Sequence, residues 1–247
     1  MKKSVYDSEN FFELYQKLRA NPISLNNIVE MPTMLSLLPE LQGRKLLDLG
    51  CGTGEHLRLY LQGGAAQVVG MDLSAAMLAQ AEKNLAQFRP HFALYQSPME
   101  QLSELPEQNF DIITSSFAFH YISDFPKLLA DIKAKLKANG TLVFSQEHPI
   151  VTAYQGGERW EKNEKKEQVA YRLNYYRDEG ERDRSWFKQP FKTYHRTLAT
   201  IINNIIAAGG EIEQIAEPML AQQPEWQAEF KDLQHRPVLL FVRAKFG

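Results

Sequence analysis

Between residues 45 and 146 the sequence alternates short apolar runs with longer segments of helical periodicity. The pattern predicts strands at 45–49, 67–71, 91–95, 110–116 and 141–146, and helices at 55–61, 74–88 and 125–137. Alternation of this kind favours parallel strands joined by helical crossovers, because each helix returns the chain to the same end of the sheet. We therefore expect an α/β fold with a doubly wound, mostly parallel sheet and helices on both faces.

The segments outside this alternation differ in character. Residues 1–42 are predicted to be a helical N-terminal cap, with Phe12, Tyr15 and Leu18 at helical spacing. Residues 150–196 break the pattern: between 155 and 188 there are nine basic, eight acidic and six aromatic side chains, which indicates an insertion. A helix at 197–208 and strands at 211–217 and 238–246 complete one domain over 1–247, with 43–149 as its cofactor-binding core.

Composition and charge exclude several classes of protein. A formal net charge of −2 provides no basic field for nucleic acid or anionic membranes. The single cysteine, Cys51, excludes an intramolecular disulfide, and no His, Asp and Glu cluster has metal-ligand spacing, so no metal is expected. The sequence has neither a secretory signal nor an apolar run of membrane-spanning length, so we expect a cytoplasmic protein that is not membrane-bound. The oligomeric state stays open.

The stretch LLDLGCGTGEH, residues 46–56, spans the first predicted strand-to-helix turn, where doubly wound sheets commonly bind ligands. Its glycines do not follow the G-x-G-x-x-G spacing of dinucleotide sites, and Glu55 at the helix start would repel a pyrophosphate. A nicotinamide oxidoreductase is therefore disfavoured. Asp72, at the end of the second strand, suits the hydroxyls of a ribose, and Asp48 suits a cationic group. A ligand with a ribose, a positive charge and no phosphate fits both, and S-adenosylmethionine is such a ligand.

Three motifs, DLGCGTG, GMDLSAAML and NFDIITSSFAFHYI, resemble successive motifs of the class I S-adenosylmethionine-dependent methyltransferases. More narrowly, the chain resembles the type 11 group of small-molecule methyltransferases, from about residue 41 to residue 149. The resemblance implies a Rossmann-like sheet of seven strands with an antiparallel last hairpin. It also implies S-adenosylmethionine as cofactor, S-adenosylhomocysteine as product, and in-line methyl transfer to a small organic acceptor.

The resemblance assigns cofactor contacts to individual residues. Asp72 would bind the ribose hydroxyls, with Leu73 and Met77 flanking the adenosine. Pro98 stands near the acidic position that usually holds the adenine edge, so Ser97, Glu100 or the backbone of Met99 would supply this contact. The loop under the methionine part of the cofactor would consist of Gly50, Cys51, Gly52 and Gly54. The methyl-donor site would be lined by Ser115 and Ser116.

The N-terminal helix is also implicated. Tyr15 and Arg19 lie one helical turn apart. In related enzymes such a helix folds over the cofactor, where an arginine can meet the methionine carboxylate. The alternative is a packed tyrosine–arginine pair with no ligand contact.

Candidate acceptor-site residues follow the fourth and fifth strands and precede the helix at 197–208. His120, His148 and His195 are candidate general bases if the acceptor is a hydroxyl or an amine, whereas a carboxylate acceptor would need none. Tyr194 and Arg196 are candidates for acceptor binding, with Arg196 pairing a carboxylate. The alternatives are a packing role for His120 and a polar helix entrance at 194–196.

The charged insertion is expected to form a β-rich lid whose aromatic residues exclude water from the acceptor. Two other functions stay open: a tRNA base methyltransferase and a non-catalytic S-adenosylmethionine-binding protein. The insertion has a net charge of only +1, counted over residues 155–188, which argues against nucleic acid as the partner.

Overall fold

The computed structural model describes residues 5–219 and 230–247, so residues 1–4 and 220–229 of the predicted terminal segments lie outside the described residues. The helices are α1 (Glu9–Ala20), α2 (Met31–Leu37), α3 (Glu55–Gln62), α4 (Ala75–Leu85), α5 (Phe125–Lys135), α6 (Pro149–Thr152) and α7 (Leu198–Ala207). The strands are β1 (Lys45–Leu49), β2 (Gln67–Asp72), β3 (Phe92–Gln96), β4 (Phe110–Ser115), β5 (Leu136–Glu147), β6 (Trp160–Lys162), β7 (Gln168–Tyr171), β8 (Gly180–Trp186), β9 (Gln189–His195), β10 (Gly210–Ala216) and β11 (Leu239–Phe246).

The main sheet has seven strands in the order β10-β11-β5-β4-β1-β2-β3. Strands β1 to β5 pair in parallel, whereas β11 is antiparallel to both β5 and β10. The predicted α/β class, the seven-stranded sheet and the antiparallel last hairpin are confirmed. The strand order reverses between β1 and β4, which opens a crevice beyond their carboxyl ends, where this architecture binds ligands.

Helices cover both faces of this sheet because side chains of a strand alternate between the faces. Leu46 of β1 packs with Leu57 and Tyr60 of α3 on one face. Leu47 of β1 belongs to the core on the other face, which α5 and α7 cover with the side chains of Phe125, Leu128, Leu129, Ile132, Ile201 and Ile205. The glycine-rich turn after β1 is thus held between two packed layers.

One predicted boundary differs from the observed one. Helix α5 ends at Lys135, and β5 already begins at Leu136 rather than at residue 141. Leu136 is buried and pairs with Phe110, and the register then shifts so that Thr141 pairs with Ile112. Asn139 adopts a positive φ of 64° inside this irregular start of the strand.

The insertion forms two hairpins, β6–β7 and β8–β9. The second hairpin is tied to the segment after β5, because Arg184 donates hydrogen bonds to the carbonyl oxygens of Val151, Thr152 and Tyr154. At its tip the ring of Trp186 lies 6.1 Å from the ring of Tyr15 on α1. The hairpin therefore reaches the N-terminal helix across the ligand edge of the sheet.

The N-terminal cap is helical as expected, with α1 and α2 joined through a short π-helical segment, Asn26–Glu30. Helix α2 packs against Val143 of β5 and Phe241 of β11 through the buried side chains of Met34 and Leu37. Among the described residues, no helix is long and apolar enough to cross a membrane.

Candidate active site

The glycine turn after β1 requires glycine for conformational reasons. Gly50, Gly52 and Gly54 all have positive φ values, of 75°, 53° and 76°. A Cβ atom on Gly50 would lie 2.9 Å from the Cβ of Ala118, whereas no atom of the described residues lies within 4 Å of the position that a Cβ on Gly52 would take. The turn is therefore packed on one side and has open space over Gly52.

Asp72 closes this turn from the end of β2. Its Oδ2 accepts a hydrogen bond from the Gly52 N–H and its Oδ1 accepts one from the Ser74 N–H, both at 2.8 Å. Each carboxylate oxygen keeps further acceptor capacity, which suits the two hydroxyls of a ribose. Burial raises the pKa of Asp72, and the two backbone donors oppose this shift. The N-terminal segment reaches the same place, because the Ser74 hydroxyl donates to Asp7 Oδ1 at 2.7 Å.

Helix α1 lies beside the turn. Arg19 Nη2 is 2.7 Å from Oε2 of Glu55, the first residue of α3, and Arg19 Nε is buried with no hydrogen-bond partner in the described part of the chain. The Arg19 guanidinium also lies 6.0 Å from the ring centroid of Tyr15, whose ring contacts Tyr6 at 5.3 Å. The tyrosine–arginine pair is thus packed and at the same time leaves a buried donor next to the ligand edge.

The expected adenine edge follows β3. The Ser97 hydroxyl donates to Gln101 Oε1 at 3.2 Å, so this side chain has a partner within its own turn. The methyl group of Met99 would be 3.4 Å from a Cβ on Gly50, which sets Met99 against the glycine turn. The backbone oxygen of Glu100 accepts from Lys127 Nζ at 3.3 Å. Met99 is therefore the closest of the three candidates to the turn.

Three other expected cofactor contacts lie around the same edge. The Met77 N–H donates to the hydroxyl of Ser74, the N-cap of α4, and the Met77 side chain is buried. Leu73 lies between Asp72 and this cap, and its carbonyl accepts from Gln96 Nε2 at 3.4 Å. Cys51 is buried, and burial raises the pKa of its thiol well above the ordinary value, so the thiol stays protonated and is a packing group rather than a nucleophile.

Two expected ligand contacts are instead buried within the sheet. The Asp48 side chain points to the α3 face of β1, where its Oδ1 accepts from the Thr114 hydroxyl at 2.8 Å. Burial raises the pKa of Asp48 to about 6. Ser115 is fully buried, and its hydroxyl donates to the Leu49 carbonyl at 2.8 Å. Both hydrogen bonds join β1 to β4 and stabilise the strand ends, and contact of Asp48 or Ser115 with a ligand stays a prediction.

A buried carboxylate that the sequence analysis missed supports the turn after β4. Glu30 is fully buried, and its Oε1 accepts from the hydroxyls of Ser116 at 2.6 Å and Ser145 at 2.7 Å. Its Oε2 lies 3.5 Å from His56 Nε2. Burial alone would raise the pKa of Glu30, but His56 and the two hydroxyls hold it below the ordinary value. Ser145 Oγ also accepts from the N–H of Phe117, a non-glycine residue at a φ of 53°.

Of the expected bases, His148 is engaged on both sides of its ring. Its Nδ1 accepts from the Ile150 N–H at 3.1 Å, and its Nε2 lies 2.7 Å from Glu217 Oε1. In this geometry His148 caps α6 and has no ring nitrogen to take a proton from an acceptor. The expected catalytic role therefore has no support in the geometry.

His195 is also fully engaged, so the same correction applies. Its Nε2 lies 2.9 Å from the Tyr176 carbonyl, which can only accept, so Nε2 carries the proton. Its Nδ1 then accepts from the Thr152 hydroxyl at 2.7 Å. The ring is fully buried and joins β9 to the insertion and to α6.

His120, after β4, has one ring nitrogen without a partner. Its Nδ1 is 3.5 Å from the Glu147 N–H, which can only donate, so Nδ1 accepts and Nε2 carries the proton. Within the described ranges, His120 Nε2 has no hydrogen-bond partner. Burial lowers the pKa of His120 and thus favours the neutral ring.

The two expected acceptor-binding residues lie at the end of β9 and directly after it. The Tyr194 hydroxyl is 3.4 Å from Glu181 Oε2 across the β8–β9 hairpin. Arg196 donates to the backbone carbonyls of Ile122 and Ser123, and burial lowers its pKa to about 10. Arg196 therefore fastens the start of α7 to the loop after β4, which agrees with the alternative of a polar helix entrance. The described residues contain no group of three His, Cys, Asp or Glu that could hold a metal ion.

Comparisons with known proteins agree with this architecture. Residues 47–144 match the model of the family described as "Methyltransferase domain". The solved structure of an S-adenosylmethionine-dependent methyltransferase from Mesorhizobium loti superposes with a TM-score of 0.79 and 31% sequence identity, covering 90% of this chain and all of that one.

Two curated relatives differ in how much of the chain they cover. An uncharacterized protein of Haemophilus influenzae is 69% identical over 247 residues, covering 99% of this chain and 97% of the relative. The trans-aconitate 2-methyltransferase of Deinococcus radiodurans is 38% identical over 108 residues, but that match covers only 43% of this chain and 39% of that enzyme.

Proposed function

Because the chain belongs to the S-adenosylmethionine-dependent methyltransferase family, we propose that it methylates a small organic acceptor. When bound, S-adenosylmethionine supplies an electrophilic methyl group on a positively charged sulfur. The donor is therefore already activated, and the tasks left to the protein are to bind, to orient and to exclude water.

The residues around the glycine turn fit the cofactor. Gly50 and Gly52 let the backbone approach the methionine part, and the open space over Gly52 is where a ligand can lie without a Cβ in its way. Asp72 has acceptor capacity for the ribose hydroxyls on both carboxylate oxygens. The buried, unpartnered Nε of Arg19 fits a carboxylate such as that of methionine. The backbone of Met99 is our candidate for the adenine edge.

The observation that carries the small-acceptor proposal is the coverage of the ligand edge from two sides. Helix α1 and the β8–β9 hairpin meet through Tyr15 and Trp186, at a ring distance of 6.1 Å. Further along the hairpin, Phe191 lies 5.9 Å from Tyr121 in the loop after β4. A lid with aromatic contacts on both sides favours an enclosed acceptor, because it leaves little room for a polynucleotide and removes water from the reacting groups.

His120 is the candidate that remains on the acceptor side. With Nε2 protonated, the neutral ring can donate a hydrogen bond to the acceptor and orient it. It is not set up to remove a proton, because its Nδ1 lone pair already faces the Glu147 N–H. We therefore assign His120 a positioning role, which suits an acceptor that is nucleophilic without deprotonation.

The test is the fate of a labelled methyl group. The protein is incubated with methyl-labelled S-adenosylmethionine and a cell extract, with and without ribonuclease, and the label is counted in RNA, precipitated protein and the small-molecule fraction. Label in the small-molecule fraction, unchanged by ribonuclease and lost in Asp72→Asn, supports the proposal. Label in RNA would favour a tRNA base methyltransferase, and no transfer despite cofactor binding would favour a non-catalytic binding protein.

A further inference from the structure

Arg236 is a buried arginine with unpaired hydrogen-bond donors in the described part of the chain. Its side chain is only 10% exposed, yet Nε and Nη1 have no hydrogen-bond partner within residues 5–219 and 230–247. Its ion pair among these residues joins Nη2 to Asp232 at 3.0 Å. Leaving buried donors of a charged group unpaired costs free energy, so such a group calls for a physical explanation.

Aromatic rings contact this guanidinium. Its Cζ lies 4.6 Å from the ring centroid of Tyr171 and 5.5 Å from that of Trp160, and these two rings contact each other at 5.1 Å. The N–H groups of a guanidinium lie in its plane, and Nε–H and Nη1–H point to different edges of it. A carboxylate oxygen in that plane can therefore accept a hydrogen bond from one of these two unpaired donors.

Two more arginines lie in the same place. Arg159 lies 3.9 Å and Arg184 5.9 Å from the ring centroid of Tyr154, and the charge of Arg159 acts on both Arg184 and Arg236. We call the three arginines and the rings of Tyr154, Trp160 and Tyr171 the arginine pocket. Glu147 is the carboxylate that acts most strongly on Arg184, and Asp232 is the one that acts most strongly on Arg236. Arg182 adds a further positive charge beside Arg184.

The arginine pocket lies on the acceptor side of the site. Arg236 comes three residues before the start of β11 at Leu239, which pairs with Glu147, the last residue of β5. The Glu147 N–H in turn faces His120. The pocket is therefore next to the carboxyl end of β5, on the opposite side of β4 from the glycine turn and Asp72.

We propose that the arginine pocket binds a carboxylate of the methyl acceptor, with Arg236 as its main donor. The inference rests on the proposed function, since it specifies the class of small acceptor. A carboxylate that accepts from Arg236 Nε or Nη1 forms a charge-assisted hydrogen bond with a buried donor that has no other partner among the described residues. The three histidines agree with this class, because none offers a free lone pair as a base, and a carboxylate needs none.

The test compares Arg236→Met with the matched control Arg243→Met. Methionine keeps the length and packing of the side chain, and Arg243 is an arginine of the same strand region that has partners in Glu213 and the Leu37 carbonyl. Each protein, saturated with S-adenosylhomocysteine, is titrated calorimetrically with succinate, with inorganic phosphate and with the neutral diamide succinamide. Thermal unfolding and S-adenosylhomocysteine affinity are measured on the same samples.

We expect succinate to bind to the wild type and to Arg243→Met, and to bind about tenfold to a hundredfold more weakly to Arg236→Met. Succinamide should not bind. Arg236→Met should unfold at no lower a temperature than the wild type, because it removes unpaired buried donors. A purely structural role predicts the opposite: a lower unfolding temperature with succinate binding unchanged. Equal succinate affinity in Arg236→Met, or tighter binding of phosphate than of succinate, overturns the proposal.

The failure of this inference can be told apart from a failure of the proposed function. If the label from S-adenosylmethionine enters RNA while succinate binding still depends on Arg236, the small-acceptor function is refuted but carboxylate binding by the arginine pocket is supported. If the label enters small molecules equally with Arg236→Met and with the wild type, the small-acceptor function is supported but the role of the arginine pocket in acceptor binding is refuted.

Discussion

The open space over Gly52 allows a sharp test of the cofactor site. Gly52 has a φ of +53°, and Gly43, in the turn before β1, has a φ of +71°. In the described part of the chain, no atom lies within 4 Å of the position of a Cβ on either glycine. Alanine at either position is forced into the left-handed region, which costs on the order of 1–2 kcal/mol. Gly52→Ala and Gly43→Ala should therefore lower the free energy of unfolding by similar amounts.

Ligand binding should separate the two variants. If the cofactor occupies the space over Gly52, the new methyl group takes its place, and Gly52→Ala should bind S-adenosylhomocysteine at least roughly tenfold more weakly, equivalent to about 1.4 kcal/mol. Gly43→Ala should bind as the wild type does. Urea unfolding gives the stabilities and calorimetry gives the affinities. Wild-type affinity in Gly52→Ala, at equal loss of stability in both variants, would refute this assignment of the turn.

Three further predictions concern buried polar groups. Burial raises the pKa of Asp48 from 3.8 to about 6, so between these values the folded protein binds more protons than the unfolded chain and loses stability as pH rises. Asp48→Asn should therefore gain about 2 kcal/mol relative to the wild type between pH 4 and pH 7 in urea unfolding, and a constant difference would contradict this. Glu30 raises the pKa of His56 against the effect of burial. NMR titration of Glu30→Gln should therefore find the His56 pKa lowered, and an unchanged pKa would contradict the Glu30–His56 interaction. His195→Gln should cost about 1–3 kcal/mol of stability by disrupting two buried hydrogen bonds while the pH profile of methyl transfer keeps its shape; a profile that loses one limb at unchanged stability would restore His195 as a base.

The parts of the site that could be predicted from the sequence are those set by short-range geometry. Gly50 and Gly52 follow β1 and Asp72 ends β2, so the single helical crossover through α3 brings them together at the same edge of the sheet. The seven-stranded sheet follows from the same regularity, repeated along the core and closed by the C-terminal hairpin.

The buried polar contacts could not be predicted in this way. Glu30 lies 86 residues from Ser116 and 115 from Ser145, and an irregular helical segment carries it to them. The only sequence signal is a carboxylate inside an otherwise apolar run. Arg236 was equally hidden, because its ring contacts with Trp160 and Tyr171 depend on how the insertion folds back.

The histidines illustrate the limit of arguments from position. His148 and His195 lie where a base would lie in this fold, but both nitrogens of each ring have hydrogen-bond partners, which for His148 include the nearby Ile150 N–H. The position of a histidine in the fold does not determine its tautomer or its hydrogen-bond partners. Residue type and topology therefore indicated two histidines whose ring nitrogens are already hydrogen-bonded within the protein.

The most direct test of the proposed function and of the arginine pocket follows a labelled methyl group from S-adenosylmethionine into fractions of a cell extract, with the wild type and Arg236→Met in parallel. We expect label in anionic small molecules or in products from which alkali releases methanol, and we expect it to be insensitive to ribonuclease and strongly reduced in Arg236→Met. Label that enters RNA or protein, or that reaches small molecules equally with both proteins, would contradict it.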